Sequence, residues 1–222
     1  MKYKVIIPAR GGSKRLPKKN IRKLDGIPLF VHSINYANNF SLFKKNDIYV
    51  NTDDDEIEKI ASKINCKIFR RSKDLGSDSA STSEVIREQV EKMINDGEKF
   101  DAVILLQPTN PLRLDSMLIN AIELFEDSKR NSLTTFSRLN KKIGIIKKNH
   151  FYPENYSFGQ RSQDQKQHYY ENGLIYITKV KEILKGNIIS KDVFPYVIDH
   201  EFAQVDIDEA NDFLLAEFLI NK

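Results

Sequence analysis

The residues best suited to chemistry lie close to the start of the chain. Residues 4–30 read KVIIPARGGSKRLPKKNIRKLDGIPLF, a short apolar run, a basic glycine-containing loop and the approach to a helix. Gly11, Gly12 and Ser13 stand among Arg10, Lys14, Arg15, Lys18 and Lys19. Small residues let backbone N–H groups approach a ligand, and the cations suit a polyphosphate, so the loop predicts a nucleotide triphosphate site. The loop lacks the G-x-x-x-x-G-K-[ST] spacing of a Walker A motif and the third glycine of a dinucleotide fingerprint. The alternative is a solvated basic loop behind an edge strand.

Three further constellations follow. Arg71 precedes a run of small and hydroxyl residues, including Ser77, Ser79, Ala80 and Thr82, which leaves room for a flat base and a ribose. The same run reads equally as a helix N-terminus capped by Ser81 or Ser83, and the two readings are compatible because a helix start also favours negative charge. Gln107 is followed by Pro108-Thr109-Asn110-Pro111, whose prolines predict a rigid turn that fixes the glutamine at a buried strand end. Arg113 is placed either to pair a substrate carboxylate or to bridge to Asp115.

Asp206 and Asp208 are the metal candidates. In an extended segment they share one face about 6 to 7 Å apart. They then repel by roughly 2 to 3 kcal/mol at an effective dielectric near 20. A divalent cation relieves that cost, and Mg²⁺ takes one or two carboxylates, completing its shell with water and phosphate oxygens. The competing reading makes Asp208 the cap of the helix that follows. Asp53 follows the second strand, and Asp54, Asp55 and Glu56 read as a helix start.

Strands at 3–8, 47–52, 67–70 and 102–107 must position these groups. Helical stretches alternate with them. Ile86, Val90, Met93 and Ile94 recur at helical spacing, and Leu118, Ala121, Ile122 and Phe125 follow Asp115 as a predicted N-cap. Alternating strands and helices with fully apolar strands predict an α/β fold, doubly wound around a mainly parallel sheet. The polar stretch from about 138 to 170 breaks the pattern; regular structure resumes over 173–178, and a helix over 209–220 closes the chain.

Composition sets the outer bounds. The chain has 222 residues, 40% of them hydrophobic and 30% charged, as expected of an ordinary globular protein. No apolar run approaches a membrane span, and no signal peptide is expected at the N-terminus. Cys66 is the only cysteine, which excludes an internal disulfide and a cysteine-rich zinc site. A net charge of +4 without a basic, aromatic-interleaved stripe argues against a nucleic-acid partner. A cytoplasmic enzyme is the expectation.

The loop ARGGSKRLPKKN resembles the CTP-binding loop of the CMP-sialic acid synthetases (N-acylneuraminate cytidylyltransferases). NTDDDEI from Asn51, RRSKDLGSDSAST from Arg70, LLQPTNPLR from Leu105, ENGLIYI from Glu171 and DID from Asp206 resemble further family segments in the family's order. The resemblance spans nearly the whole chain. It implies a nucleotide-diphospho-sugar transferase-like fold, with residues 1–137 and 179–222 as the nucleotide-binding domain. Residues 138–178 would be an inserted arm that exchanges with a second subunit of a homodimer and helps complete the sugar site.

By resemblance, nucleotide contacts fall on Ala9, Arg10, Gly11, Gly12, Ser13, Lys14, Lys19, Asn20, Arg71, Ala80 and Thr82. Asp53 would orient the nucleotide loop, Gln107 would meet the sugar acid, and Asp206 and Asp208 would hold Mg²⁺. Arg10, Lys19 and Asp208 would carry catalysis. The implied reaction transfers CMP from CTP to the anomeric 2-hydroxyl of a nine-carbon 2-keto sugar acid, releasing pyrophosphate; the acceptor of the hydroxyl proton stays open. N-acetylneuraminate is the default acid and legionaminate its near neighbour, ahead of pseudaminate and the eight-carbon acid Kdo. A catalytically silent nucleotide-binding subunit is the alternative from another class. The chain departs from the family at Arg15, where glycine is common, and at Asn110, where serine is common.

Overall fold

The structure, a computed structural model, describes residues 1–72, 75 and 80–222. Seven strands form the central sheet: β1 (Tyr3–Pro8), β4 (Ile48–Thr52), β5 (Lys67–Arg70), β6 (Ala102–Leu105), β7 (Ser132–Leu139), β10 (His168–Lys179) and β11 (Phe194–Val197). Two short strands, β2 (Lys23–Leu24) and β3 (Ile27–Pro28), pair beside the basic loop, and β8 (Gly144–Lys147) pairs with β9 (His150–Pro153) outside the sheet. The sheet order is β11-β7-β10-β6-β1-β4-β5. β10 runs antiparallel to both β6 and β7, while every other pair in the sheet is parallel.

Among the described residues six α-helices accompany the strands: α1 (Leu29–Asn38), α2 (Asp55–Ala61), α3 (Thr82–Asn95), α4 (Asp115–Ser128), α5 (Val180–Ile183) and α6 (Ala210–Ile220). Side chains of a strand alternate between faces, and β1 uses both. Val5 and Ile7 pack with Phe30 and Ile34 of α1, Ile57 of α2 and Leu118 and Phe125 of α4. Ile6 faces the other way, onto Ile86 and Val90 of α3 and Ile183 of α5. Full burial of such a side chain contributes about 1.5 to 3 kcal/mol, so helices on both faces are what these apolar strands require. The expected doubly wound α/β architecture is present.

A third cluster bears on function. Leu16 of the basic loop, Leu24, Leu29 and Leu112 pack with Val205, Ile207 and Phe213. This cluster draws the N-terminal loop and the segment before α6 together, although 189 residues separate Leu16 from Val205.

Local structure departs from expectation in three places. Asp115 is the first residue of α4 rather than its cap; Leu114 occupies the cap position and supplies no side-chain hydrogen bond. Ile94 of the predicted α3 stripe is exposed, while Ile86, Val90 and Met93 are buried. Within residues 138–178, the stretch from 168 belongs to β10 and the central sheet, so only about 140–167 stands apart from it, including the β8–β9 hairpin.

Candidate active site

In a doubly wound sheet, ligands bind beyond the strand C-termini where chain direction across the sheet reverses. Here β1 is that point, flanked by β4 on one side and β6 on the other. A cavity of about 290 Å³ opens there, lined by Arg10, Lys19, Asn20, Arg71, Ala80, Thr82 and Gln107, with Pro8, Val85, Pro108 and Thr109. A second, of about 300 Å³, is lined by Arg10, Ser13, Lys14, Arg15, Lys19 and Asp208. Arg10 and Lys19 border both. The first cavity thus combines a flat, mixed lining with the expected base and sugar residues, and the second is a cationic cup.

The basic loop is fixed from several sides. Gly11 donates its N–H to Asp53 Oδ1 at 3.2 Å, as expected of a loop-orienting aspartate. Asp54 caps α2 by accepting from the N–H groups of Glu56 and Ile57. A Cβ on Gly11 would lie 2.3 Å from Asp54 Oδ2, so only glycine allows this approach. Asn20 is buried and donates from Nδ2 to the Arg10 carbonyl at 2.8 Å, holding the two ends of the loop together. Lys18 is exposed and pairs with Glu56.

Arg71 enters from the end of β5. It is buried, donates from Nη2 to the Asn51 carbonyl at 2.8 Å, and keeps a buried Nε without a partner among the described residues. Burial pushes its pKa down, with Arg10 adding to that and Asp53 opposing it. An unmet guanidinium donor beside a cavity is what a ligand carbonyl would satisfy. Ser81 caps α3 in a capping box with Glu84, so Ala80 and Thr82 are placed by a helix start. Ser77 and Ser79 lie outside the described residues.

Val205 and Ile207 are buried while Asp206 is exposed and Asp208 half-buried, so the expected alternation puts the two aspartates outward together. Asp208 does not cap α6; Glu209 does, in a capping box with Asp212. Lys19 Nζ reaches Asp208 Oδ1 at 3.0 Å and the Ile207 carbonyl at 2.8 Å, while Arg15 reaches Asp208 Oδ2 at 2.7 Å. Asp206 is held above the ordinary carboxylate range by loss of hydration and by Asp208; a hydrogen bond from Thr109 and the charge of Lys19 act the other way. The residue still reaches solvent, which limits that shift. Among the described residues no three His, Cys, Asp or Glu side chains gather into a metal cage. Asp208 lines the cationic cup and Asp206 shares its outward face, a donor set that would fit Mg²⁺, which takes few protein ligands and shares the rest with substrate.

The sequence from residue 4 to residue 218 matches the family model described as cytidylyltransferase. The chain belongs to that family. Among its relatives, the N-acylneuraminate cytidylyltransferase of Streptococcus agalactiae is 30% identical over 222 residues, covering 96% of this chain and 52% of the relative. The chain therefore spans about half the length of that relative. The pseudaminic acid cytidylyltransferase of Campylobacter jejuni is 32% identical over 226 residues, with 99% and 96% covered. The CMP-N,N'-diacetyllegionaminic acid synthase of Legionella pneumophila is 30% identical over 227 residues, with 99% and 97% covered. In fold, the chain is similar to a CMP:2-keto-3-deoxy-manno-octonic acid synthetase at a TM-score of 0.71 and 15% identity, covering 100% of this chain and 99% of that one.

The cytidylyltransferase fold brings most of the sequence-predicted residues to one crevice. Ala9 instead is fully buried and gives its N–H to the Asn51 carbonyl at 2.9 Å, and Gly12 lies exposed on the loop. Arg113 fulfils neither expected role. It is buried and donates to the carbonyls of Leu174 and Gln107 and to Ser33 Oγ, at 2.8 to 3.1 Å. Complete burial pushes its pKa down to about 10, so it stays charged at neutral pH while bracing the strand end that carries Gln107. His168 turns to the Lys166 carbonyl. Thr109, whose carbonyl accepts from Ile207 N at 2.7 Å, was not foreseen as a partner of the aspartate segment; its place inside the Pro-Thr-Asn-Pro turn was the available signal.

Proposed function

We propose that this cytidylyltransferase joins CTP to a nine-carbon 2-keto sugar acid. The observation that carries this reading is the pair of adjoining cavities bordered by Arg10 and Lys19, one with Arg71, Ala80, Thr82 and Gln107, the other with Lys14 and Asp208. The base and ribose occupy the first beside Arg71, whose free Nε meets the pyrimidine carbonyl. Gln107 meets the acid at the end of β6. The β- and γ-phosphates lie in the cationic cup.

The anomeric 2-hydroxyl oxygen attacks the α-phosphorus in line and loses its proton to solvent water. The bond from that phosphorus to the bridging oxygen breaks, and pyrophosphate leaves into the cup, where Arg10, Lys14 and Lys19 neutralise its charge. Mg²⁺, held by Asp206 and Asp208, would supply charge neutralisation on the phosphates when bound. Lys19 orients Asp208 from the protein side, and Asn20 keeps the loop closed over the phosphates through the Arg10 carbonyl.

A homodimer formed through the segment around 140–167 accompanies this reading. Ile146 and Phe158 there are 74% and 71% exposed, and the rings of Phe151, Tyr156 and Phe158 cluster with centroids 6.1 to 6.5 Å apart, an apolar surface that suits a second copy. No helix among the described residues is long and apolar enough to cross a membrane. The lone, buried Cys66 and a CTP substrate suit the cytoplasm.

The test is pyrophosphate release from CTP and Mg²⁺ with N-acetylneuraminate, legionaminate, pseudaminate and Kdo in parallel. Release with one nine-carbon acid and none in its absence supports the reading and names the acceptor. Tight CTP binding with no release from any acid would favour the silent subunit.

A further inference from the structure

Asn110 is completely buried and gives both hydrogens of its side-chain amide to backbone carbonyls, Asn172 at 2.9 Å and Val205 at 2.8 Å. The first carbonyl lies at an irregularity in β10, where the register against β7 shifts between Glu171 and Tyr176. Gly173 has φ +78°, and a Cβ there would lie 2.6 Å from Asn110 Oδ1, so glycine both allows the turn and leaves room for the amide. Asn172 is itself fixed. Its Oδ1 accepts from Thr135 Oγ1 at 2.6 Å and Leu174 N at 3.2 Å, and its Nδ2 donates to Ser137 Oγ at 3.0 Å.

The second carbonyl immediately precedes Asp206. Ile207 N donates to the Thr109 carbonyl at 2.7 Å, and the Thr109 hydroxyl donates to Asn110 Oδ1 at 3.3 Å. Two adjacent residues of the Pro-Thr-Asn-Pro turn thus hold the aspartate segment through two hydrogen bonds, to the Val205 carbonyl and from Ile207 N. Gln107 begins the same turn.

We propose that Asn110 is a positioning residue: anchored on the Asn172–Gly173 bulge, it sets the aspartate segment against the strand end that carries Gln107. Asn110 lines neither cavity and acts through Val205. The catalytic consequence rests on the cytidylyl-transfer reading, since Asp206 and Asp208 are its metal-binding pair. A serine at 110 has one O–H donor on a shorter side chain and can serve only one of the two carbonyls. Gly173→Ala attacks the same contact from the other side by pushing the amide away.

The experiment compares the unsubstituted 222-residue chain with Asn110→Ser, Gly173→Ala and the double variant, by backbone hydrogen exchange and by steady-state kinetics. Exchange at Ile207 should quicken about ten-fold or more while β1 and β6 stay protected. The kcat should fall about ten- to a hundred-fold, the scale of an ångström-level misplacement. The KM for CTP should stay within about two-fold, a split that general destabilisation does not produce. The double variant should lose little more than the worse single one, because both break one contact. Unchanged exchange at Ile207 in both single variants overturns the proposal, as does faster exchange with kcat intact. If the wild type turns over none of the four acids, the functional reading falls, and the catalytic consequence with it. Exchange at Ile207 still reports separately whether Asn110 holds the segment.

Discussion

Lys19 and Asp208, 189 positions apart in the chain, meet at 3.0 Å between Nζ and Oδ1. The contact joins the basic loop to the aspartate segment, and the Leu16–Val205–Ile207 cluster beneath it keeps the two in register. Lys19 also donates to the Ile207 backbone, so its position does not depend on the carboxylate alone.

Lys19→Ala and Asp208→Asn should therefore separate activity from folding. Each is expected to cut turnover about a hundred-fold or more, the usual cost of losing a charge-stabilising group. Stability should change by about 1 kcal/mol or less, because the pair is partly open to solvent. Pyrophosphate release and thermal melts on the same samples check both halves.

Arg15 takes the other oxygen of Asp208 at 2.7 Å from a side chain that is 64% exposed. Arg15→Gly should free that oxygen and raise Mn²⁺ affinity roughly three- to ten-fold, the order of removing one screened charge. Titration calorimetry with Mn²⁺ measures it, with Lys18→Gln as the control that removes equal charge from the same loop at its contact with Glu56.

The two loop glycines should fail differently. Gly11→Ala meets Asp54 at 2.3 Å, so both melting temperature and CTP affinity should drop. At Gly12 a Cβ meets nothing within 4 Å, so Gly12→Ala should melt as the wild type does. Any loss of CTP affinity there then reports close backbone approach by the ligand.

The end of the sheet opposite the active site, at the starts of β1 and β4, carries an ionic cluster whose effect is on stability. Lys4 pairs with Glu98 at 2.8 Å and Asp47 at 3.1 Å, and Tyr49 donates to Glu98. Partial burial pushes the Glu98 carboxyl up, but hydrogen bonds from Lys4 and Tyr49 and the nearby lysine charges overcome this and leave it below its ordinary value. A carboxylate depressed in the folded state adds stability that is complete above its unfolded pKa and is lost as pH falls through the folded one. Glu98→Gln should cost about 1 to 3 kcal/mol at pH 7. It should also flatten the loss of stability below about pH 4.3, as followed by urea melts across pH.

Much of this site was legible in the sequence because its parts have unmistakable residue chemistry. The basic glycine loop, the β-end Arg71 and the alternating Val205-Asp206-Ile207-Asp208 declare themselves by charge and period. β7 did not, because it buries Ser132, Thr134, Thr135 and Ser137, polar residues that a hydropathy reading assigns to the surface. Ser132, Thr135 and Ser137 hydrogen-bond to side chains or carbonyls of distant segments, which no local pattern records. Arg113 misled for a related reason: an arginine beside an aspartate suggests an ion pair, yet three oxygens across the fold claim it. Asn110 and the Asn172–Gly173 bulge were visible only as motif letters, since their role depends on contacts spanning 62 and 95 positions.

The central claim is transfer of the cytidylyl group to the acid, and CTP labelled with ³²P at either the α or the γ position tests it most directly. With the accepted acid, the α label should appear in an acid-linked CMP and the γ label wholly in pyrophosphate, with neither released when the acid is omitted. Appearance of the γ label on the acid, or of the α label as free CMP without any acid, would contradict the account.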